Sequence, residues 1–185
     1  MTETEFRDSF RLYKDVVYRF AYRMMGSGAA AEDVTQECFV ALWKKPGGYD
    51  PSRGAMRSYL LGMARNHVLK HWRHESRFEA EEPQLVVSPM DIVGLERSAA
   101  IAAAVQALPE LQREALVLAE YEELSLDEVA RVTGADIAAV KSRLHRARQN
   151  LRKTLASLLN EPLAPLLDTP VDAHKEKGNF HGTPK

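Results

Sequence analysis

The residues with the clearest chemical potential lie at positions 141–153, where Lys141, Arg143, Arg146, Arg148, Arg152 and Lys153 give six basic side chains and no acid. Cations repeated along one helix suit contact with a phosphate backbone. Residues 110–136, by contrast, hold eight acids against two arginines, so charge is segregated locally in a chain of formal net charge -1. Two other groupings stand out. Glu32, Asp33, Gln36 and Glu37 make a polar, acidic ridge at helical spacing, suited to a basic protein surface. His67, His71 and His74 stand at i, i+4 and i+7, but no nearby cysteine or aspartate completes a tetrahedral set, and they are read as binding no metal. The chain has no phosphate-cradling glycine loop, no HExxH and no nucleophile elbow, so neither catalysis nor a cofactor is expected of it.

The basic segment needs a helix to align it and a second element to aim it. Ser125 is a suitable N-cap, Asp127 and Glu128 lie where a helix N-terminus favours acids, and Val129 and Val132 supply an inward face. Gly134 closes that helix and Asp136 caps the next. There Ile137, Val140, Leu144, Ala147 and Leu151 recur at three- and four-residue steps as one buried stripe. A capped helix, a glycine turn and a basic helix together predict a DNA-binding helix-turn-helix.

No strand pattern competes, and the expected fold class is all-α, with two small helical domains joined by a flexible linker. Phe6, Phe10, Tyr13, Val17, Phe20 and Met24 mark a long amphipathic helix ending near Gly26 and Gly28. A second helix runs from about Ala30 to Lys45, with Val34, Cys38 and Leu42 inward and Trp43 inward or flanking. After the turn-rich loop PGGYDPSRG, a third helix carries Met56, Leu60, Ala64, Val68 and Trp72 on its apolar side. Leu111, Ala115, Leu118 and Leu124 lead, as supporting helices, into the helix-turn-helix. The expected divisions are an N-terminal domain at 1–78, a linker at 79–97, the helix-turn-helix domain at 98–159 and a disordered or partner-docking tail at 160–185.

The single cysteine, Cys38, excludes an intramolecular disulfide and is read as a buried structural thiol. MTETEFRDSF has no apolar run suited to a signal peptide or membrane span, and a cytoplasmic location is expected.

These segments resemble the extracytoplasmic-function (ECF) sigma factors, two-domain initiation subunits of bacterial RNA polymerase. The likeness covers most of residues 5–157 and is carried, in order, by AEDVTQECFVALWKK, YDPSRGAMRSYLLGMARN, ALPELQREALVLAEYEELSLDEVARVTG and AAVKSRLHRARQNL. It implies that Asp33, Gln36 and Glu37 engage the clamp helices of core RNA polymerase. It implies also that the loop and third helix bind the displaced strand at the downstream promoter hexamer, through Arg53, Arg57, Arg65, Asn66, Lys70 and Arg73. Tyr49, Tyr59 and Trp72 offer aromatic faces there, although Trp72 extends the Met56-to-Val68 stripe and is read as core. Lys141, Ser142, Arg143, Arg146 and Arg148 would meet the upstream hexamer in the major groove, without an assignment of which side chain reads a base. Promoter DNA, core polymerase and an anti-sigma factor are the implied partners, with no membrane insertion.

The chain departs from the family pattern at four positions: Ala30 for an aspartate, Tyr59 for a tryptophan, Lys70 for an aspartate and Ala139 for a threonine. These departures bear on promoter preference rather than on fold. The other readings are a sigma-like decoy that binds an anti-sigma protein and a dimeric helix-turn-helix repressor. A decoy would be expected to lose the basic face, which this chain keeps. A repressor would leave the acidic ridge and the arginine-rich third helix without a role.

Overall fold

Capping residues set where the helices start and stop. The computed structural model describes residues 2–75 and 92–159. Helix α1, Glu3–Met25, opens on Thr2, whose side chain and that of Glu5 form a reciprocal capping box, and closes on Gly26 in the left-handed region at φ 73°. Ser27 caps α2, Gly28–Lys44, so the turn between the two helices is tight. Two 3-10 turns, Pro46–Gly48 and Pro51–Arg53, make up the proline-rich loop, and α3 follows as Met56–Glu75. Val17, Phe20, Met24, Val34, Cys38, Leu42, Leu60, Leu61, Ala64 and Val68 are all buried between α1, α2 and α3. Trp72 packs on the edge of this cluster, as the stripe predicts.

The C-terminal helices are α4, Ile92–Gln106; α5, Glu110–Leu116; α6, Leu126–Thr133; and α7, Ile137–Leu159. Helix α4 opens inside the stretch expected to be linker; the rest of that linker, from 79 to 91, and the tail at 160–185 lie outside the described residues. Between α5 and α6 the chain widens into a π turn, Val117–Tyr121, in which the Glu122 amide donates to the Val117 carbonyl at 3.0 Å. Glu123 then takes φ 50°, an uncommon left-handed conformation for a non-glycine residue, and reverses the chain toward α6. Ser125 and Glu128 form the second capping box, Gly134 ends α6 at φ 68°, and the Asp136 carboxylate accepts from the Ala139 amide at 2.6 Å. The helix-turn-helix is therefore built as its capping residues predict.

Some details depart from the periodicity. Phe10, Leu111 and Ile137, expected on inward stripes, are 42%, 50% and 39% exposed, and Trp43 is 51% exposed, so it flanks the core rather than filling it. Each lies at the margin of its helix face; Phe10 and Trp43 meet only the edge of the facing helix, each on one ring. A larger departure concerns the two halves: their cores merge. Leu108, Leu116, Val117, Leu118, Val129, Val140 and Leu144 belong to the same apolar cluster as Phe20, Leu42 and Leu60. Among the described residues no strand occurs, and no helix is long and apolar enough to cross a membrane.

Cys38 is fully buried, and burial pushes its thiol up to about 12. In the folded chain at pH 8 its alkylation by iodoacetamide is expected to be at least about a hundredfold slower than in the unfolded chain. The thiol stays protonated in the fold. The stability it lends is therefore intact below about pH 9 and declines as pH rises toward 12, which unfolding midpoints measured across that range will show.

Candidate nucleic-acid interface

The loop before α3 is shaped by short-range bonds. Asp50 accepts from the Ser52 amide at 3.0 Å and from its hydroxyl at 2.7 Å, and these bonds hold its carboxyl below the ordinary range. The Tyr49 hydroxyl donates to the Gly54 carbonyl at 3.2 Å, and the Tyr49 and Tyr59 rings lie 5.5 Å apart. Two glycines are needed here. Gly54 sits at φ 145°, and a Cβ on Gly48 would lie 2.7 Å from the Tyr59 hydroxyl. Loop and helix together enclose a cavity of about 480 Å³ lined by Tyr49, Asp50, Arg53, Tyr59 and Asn66. Its far wall is Arg131 and Val132, from α6 of the other half.

The six N-terminal residues assigned to DNA fall into two groups. Arg53, Asn66, Lys70 and Arg73 are exposed, the last three on one stripe of α3. Lys70 Nζ lies 4.0 Å from the Glu37 carboxylate, which also takes the His67 ring at 2.6 Å, so Glu37 bridges α2 to α3. Arg57 and Arg65 instead turn into the C-terminal half. Arg57 donates to the Glu122 carbonyl and, at 2.9 Å, to its carboxylate, which accepts also from Arg23 at 3.3 Å. Arg65 Nε donates to Glu114 at 2.5 Å. Glu122 and Glu114 are 1% and 2% exposed. Burial pushes the Glu114 carboxyl above the ordinary range against the pull of Arg65, and Glu114 Oε2 has no hydrogen-bond partner.

Further bonds tie the halves together. Ser58 donates to Glu128 at 3.0 Å, and Arg131 to the Arg53 carbonyl at 2.9 Å. Gln106 Nε2 donates to the Arg23 carbonyl at 2.7 Å, and Arg113 to that of Met24 at 2.5 Å, so the C-terminal carbonyls of α1 are capped from α4 and α5. Arg113 also lies 6.0 Å from the Trp72 ring centre.

The expectation from sequence contained none of these contacts. Its missed residues are Glu114 and Glu122, and a signal was present: both lie four residues from Leu118, on the line 114, 118, 122 of an apolar face. Acids on such a line require buried cations.

On α7, Lys141, Ser142, Arg146 and Arg148 are exposed, whereas Arg143 is half-buried and close enough to Glu114 to favour its ionised form. Arg148 pairs with Glu120 at the surface, an ion pair of small energetic weight. The α2 ridge is open: Asp33, Gln36 and Glu37 are all exposed. Beside it runs an aromatic groove in which Phe6 meets Trp43 and Phe10 meets Phe39, each at 4.9 Å between ring centres. Among the described residues no three metal-ligating side chains converge.

Comparison with known proteins follows the same division. Residues 10–78 match the family described as Sigma-70 region 2, and residues 98–151 match Sigma-70, region 4. The ECF RNA polymerase sigma factor SigW of Bacillus subtilis is 32% identical over 169 residues, covering 83% of this chain and 90% of that protein. SigE of Mycolicibacterium smegmatis, another ECF RNA polymerase sigma factor, is 34% identical over 160 residues; these are 82% of this chain and 62% of SigE, somewhat under two thirds of its length. Among solved structures, CnrH in complex with the cytosolic domain of CnrY is similar at a TM-score of 0.64 and 26% identity, covering 84% of this chain and 90% of that one. The sigma factor RpoE in complex with the anti-sigma factor NepR from Bartonella quintana shares the fold, at a TM-score of 0.72 and 22% identity over 82% of this chain and 97% of that one.

The loop geometry generates one expectation. Gly48→Ala drives a methyl into the Tyr59 hydroxyl, so the variant should lose about 1 kcal/mol or more of stability. Chemical denaturation will measure it, and Gly47→Ala, with open space around it, is the control expected to change little.

Proposed function

The chain belongs to the ECF sigma factors, and from that premise we propose that it binds core RNA polymerase, recognises a two-part promoter and directs transcription initiation. The supporting observation is the pairing of two matched regions with two basic surfaces, one on a loop and α3, the other on α7. Asp33, Gln36 and Glu37 form the polymerase-facing ridge; Asp33 and Gln36 are its freest members, because Glu37 also holds His67. Such an exposed acidic ridge complements a basic clamp surface.

Arg53, Asn66, Lys70 and Arg73 take the displaced strand, with the cavity beneath Tyr49 and Asn66 able to receive an unstacked base. Arg57 and Arg65 add phosphate contacts once free of their carboxylate partners. At the other end Lys141, Ser142, Arg143, Arg146 and Arg148 meet the upstream hexamer from the start of the recognition helix. Nucleotidyl transfer belongs to the polymerase; the chain supplies location and strand capture. It works in the cytoplasm, and an anti-sigma factor binds it, as NepR is in complex with RpoE there.

Reconstitution tests this reading. The purified chain should co-elute with core polymerase and give specific transcripts from genomic promoter fragments; a folded chain that does neither removes the proposal. Asp33→Lys combined with Gln36→Lys should abolish co-elution while leaving the helical signal unchanged. Lys141→Ala should weaken upstream-element binding and lower its salt slope by about 1 if the contact is to phosphate.

A further inference from the structure

We infer that His67, on α3, is a positioning residue of the polymerase-facing ridge: its imidazole fixes the Glu37 carboxylate, and its proton sets how strongly the ridge attracts a basic surface. The inference rests on reading Asp33, Gln36 and Glu37 as polymerase contacts. It adds that the contact surface is composite, with α3 as well as α2 deciding its charge.

The geometry supplies the orientation. His67 Nδ1 lies 2.6 Å from Glu37 Oε2, and Lys70 Nζ stands 4.0 Å from Glu37 Oε1. A carboxylate only accepts hydrogen bonds, so Nδ1 carries the hydrogen and the ring gains or loses its proton at Nε2. The bond therefore stands in both charge states of the ring. It restrains a glutamate side chain that is 48% exposed, and a side chain held before binding need not be ordered by the partner. Each carboxylate oxygen has two lone pairs, so Glu37 can still accept from that partner.

The charges supply the sign. Glu32, Asp33 and Glu37 bring three negative charges, and Lys70, standing where the family pattern has an aspartate, brings one positive charge. Protonated His67 brings a second, so the cluster goes from a net two negative charges to a net one. On α3 itself His71 and His74 follow His67 at i+4 and i+7. The other neighbours direct their groups elsewhere: Glu114 of α5 takes Arg65, Glu128 of α6 takes Ser58, and the inner face of α3 carries the buried Leu60, Leu61, Ala64 and Val68. Imidazole is the side chain that changes charge between about pH 5 and 8. A basic partner is repelled by the protonated ring, so binding expels the proton and, reciprocally, loss of the proton strengthens binding. Association with polymerase is therefore weaker in acid.

Titration of core RNA polymerase with the fluorescently labelled full chain, without DNA and at one ionic strength, is the test. Comparing variants at each pH cancels the response of the polymerase itself. His67→Gln is neutral and still able to donate to Glu37; it should match the unaltered chain at pH 8 and bind about threefold more tightly at pH 6. His67→Arg keeps a permanent charge; it should match the unaltered chain at pH 6 and bind about threefold more weakly at pH 8. Both should keep the helical signal. For the unaltered chain alone, calorimetry at pH 6.5 in two buffers of different ionisation enthalpy should show net proton release on binding. Two variants weakened alike at both pH values, a glutamine variant with the pH response of the unaltered chain, or binding without proton release each overturn the inference. An unaltered chain that binds polymerase at neither pH removes the ridge reading as well. Binding that Asp33→Lys with Gln36→Lys abolishes, yet that ignores both His67 variants, leaves the ridge reading standing and removes only the role of His67.

Discussion

Two carboxylates out of reach of water hold this structure to one arrangement. Glu114 and Glu122 come from the same few turns of the C-terminal half, and a buried carboxylate that lacks a cation is destabilising by several kcal/mol. The cations bonded to them all come from the N-terminal half: Arg23 at the end of α1, Arg57 at the start of α3 and Arg65 two turns further along. The directions of α1, α3 and α5 are thereby tied to one another. The remaining contacts between the halves, including Gln106 and Arg113 at the end of α1, are consistent with that single placement.

The two basic surfaces are consequently unequal. Lys141, Ser142 and Arg146 project from α7 into solvent, held by a stripe of Val140, Leu144 and Ala147 that faces its own half. That surface is available as folded. The loop surface depends on what lies opposite α3, because Arg57 and Arg65 are satisfied internally while Arg53, Asn66 and Arg73 are not covered to the same extent. A single fold thus presents one ready cationic face and one that is partly neutralised.

Much of this was legible in the residues, and the rest was hidden for a physical reason. Helix ends were readable because capping is local: Ser125 with Glu128, Gly134 and Asp136 all do what their types at that spacing require. Core positions were readable wherever a full stripe recurs, as from Leu60 to Val68; at stripe margins, as with Phe10 and Ile137, periodicity overstates burial because it does not register how far a neighbouring helix extends over them. The arginines of α3 were legible as cations but not in their partners. Pairings such as Arg57 with Glu122 join residues far apart in the chain, and no local pattern reports them. The acids gave a partial sign, since Glu114 and Glu122 share a helical line with Leu118.

The π turn at Val117–Tyr121 has a consequence for descent. A π turn accommodates one residue more than the α-helix it interrupts, and each residue of an α-helix advances the chain by about 100°. Without that residue, the position of Glu122 would rotate by roughly a quarter turn, away from Arg23 and Arg57. An inserted or deleted codon within this segment is therefore a heritable change that takes Glu122 out of register with Arg23 and Arg57.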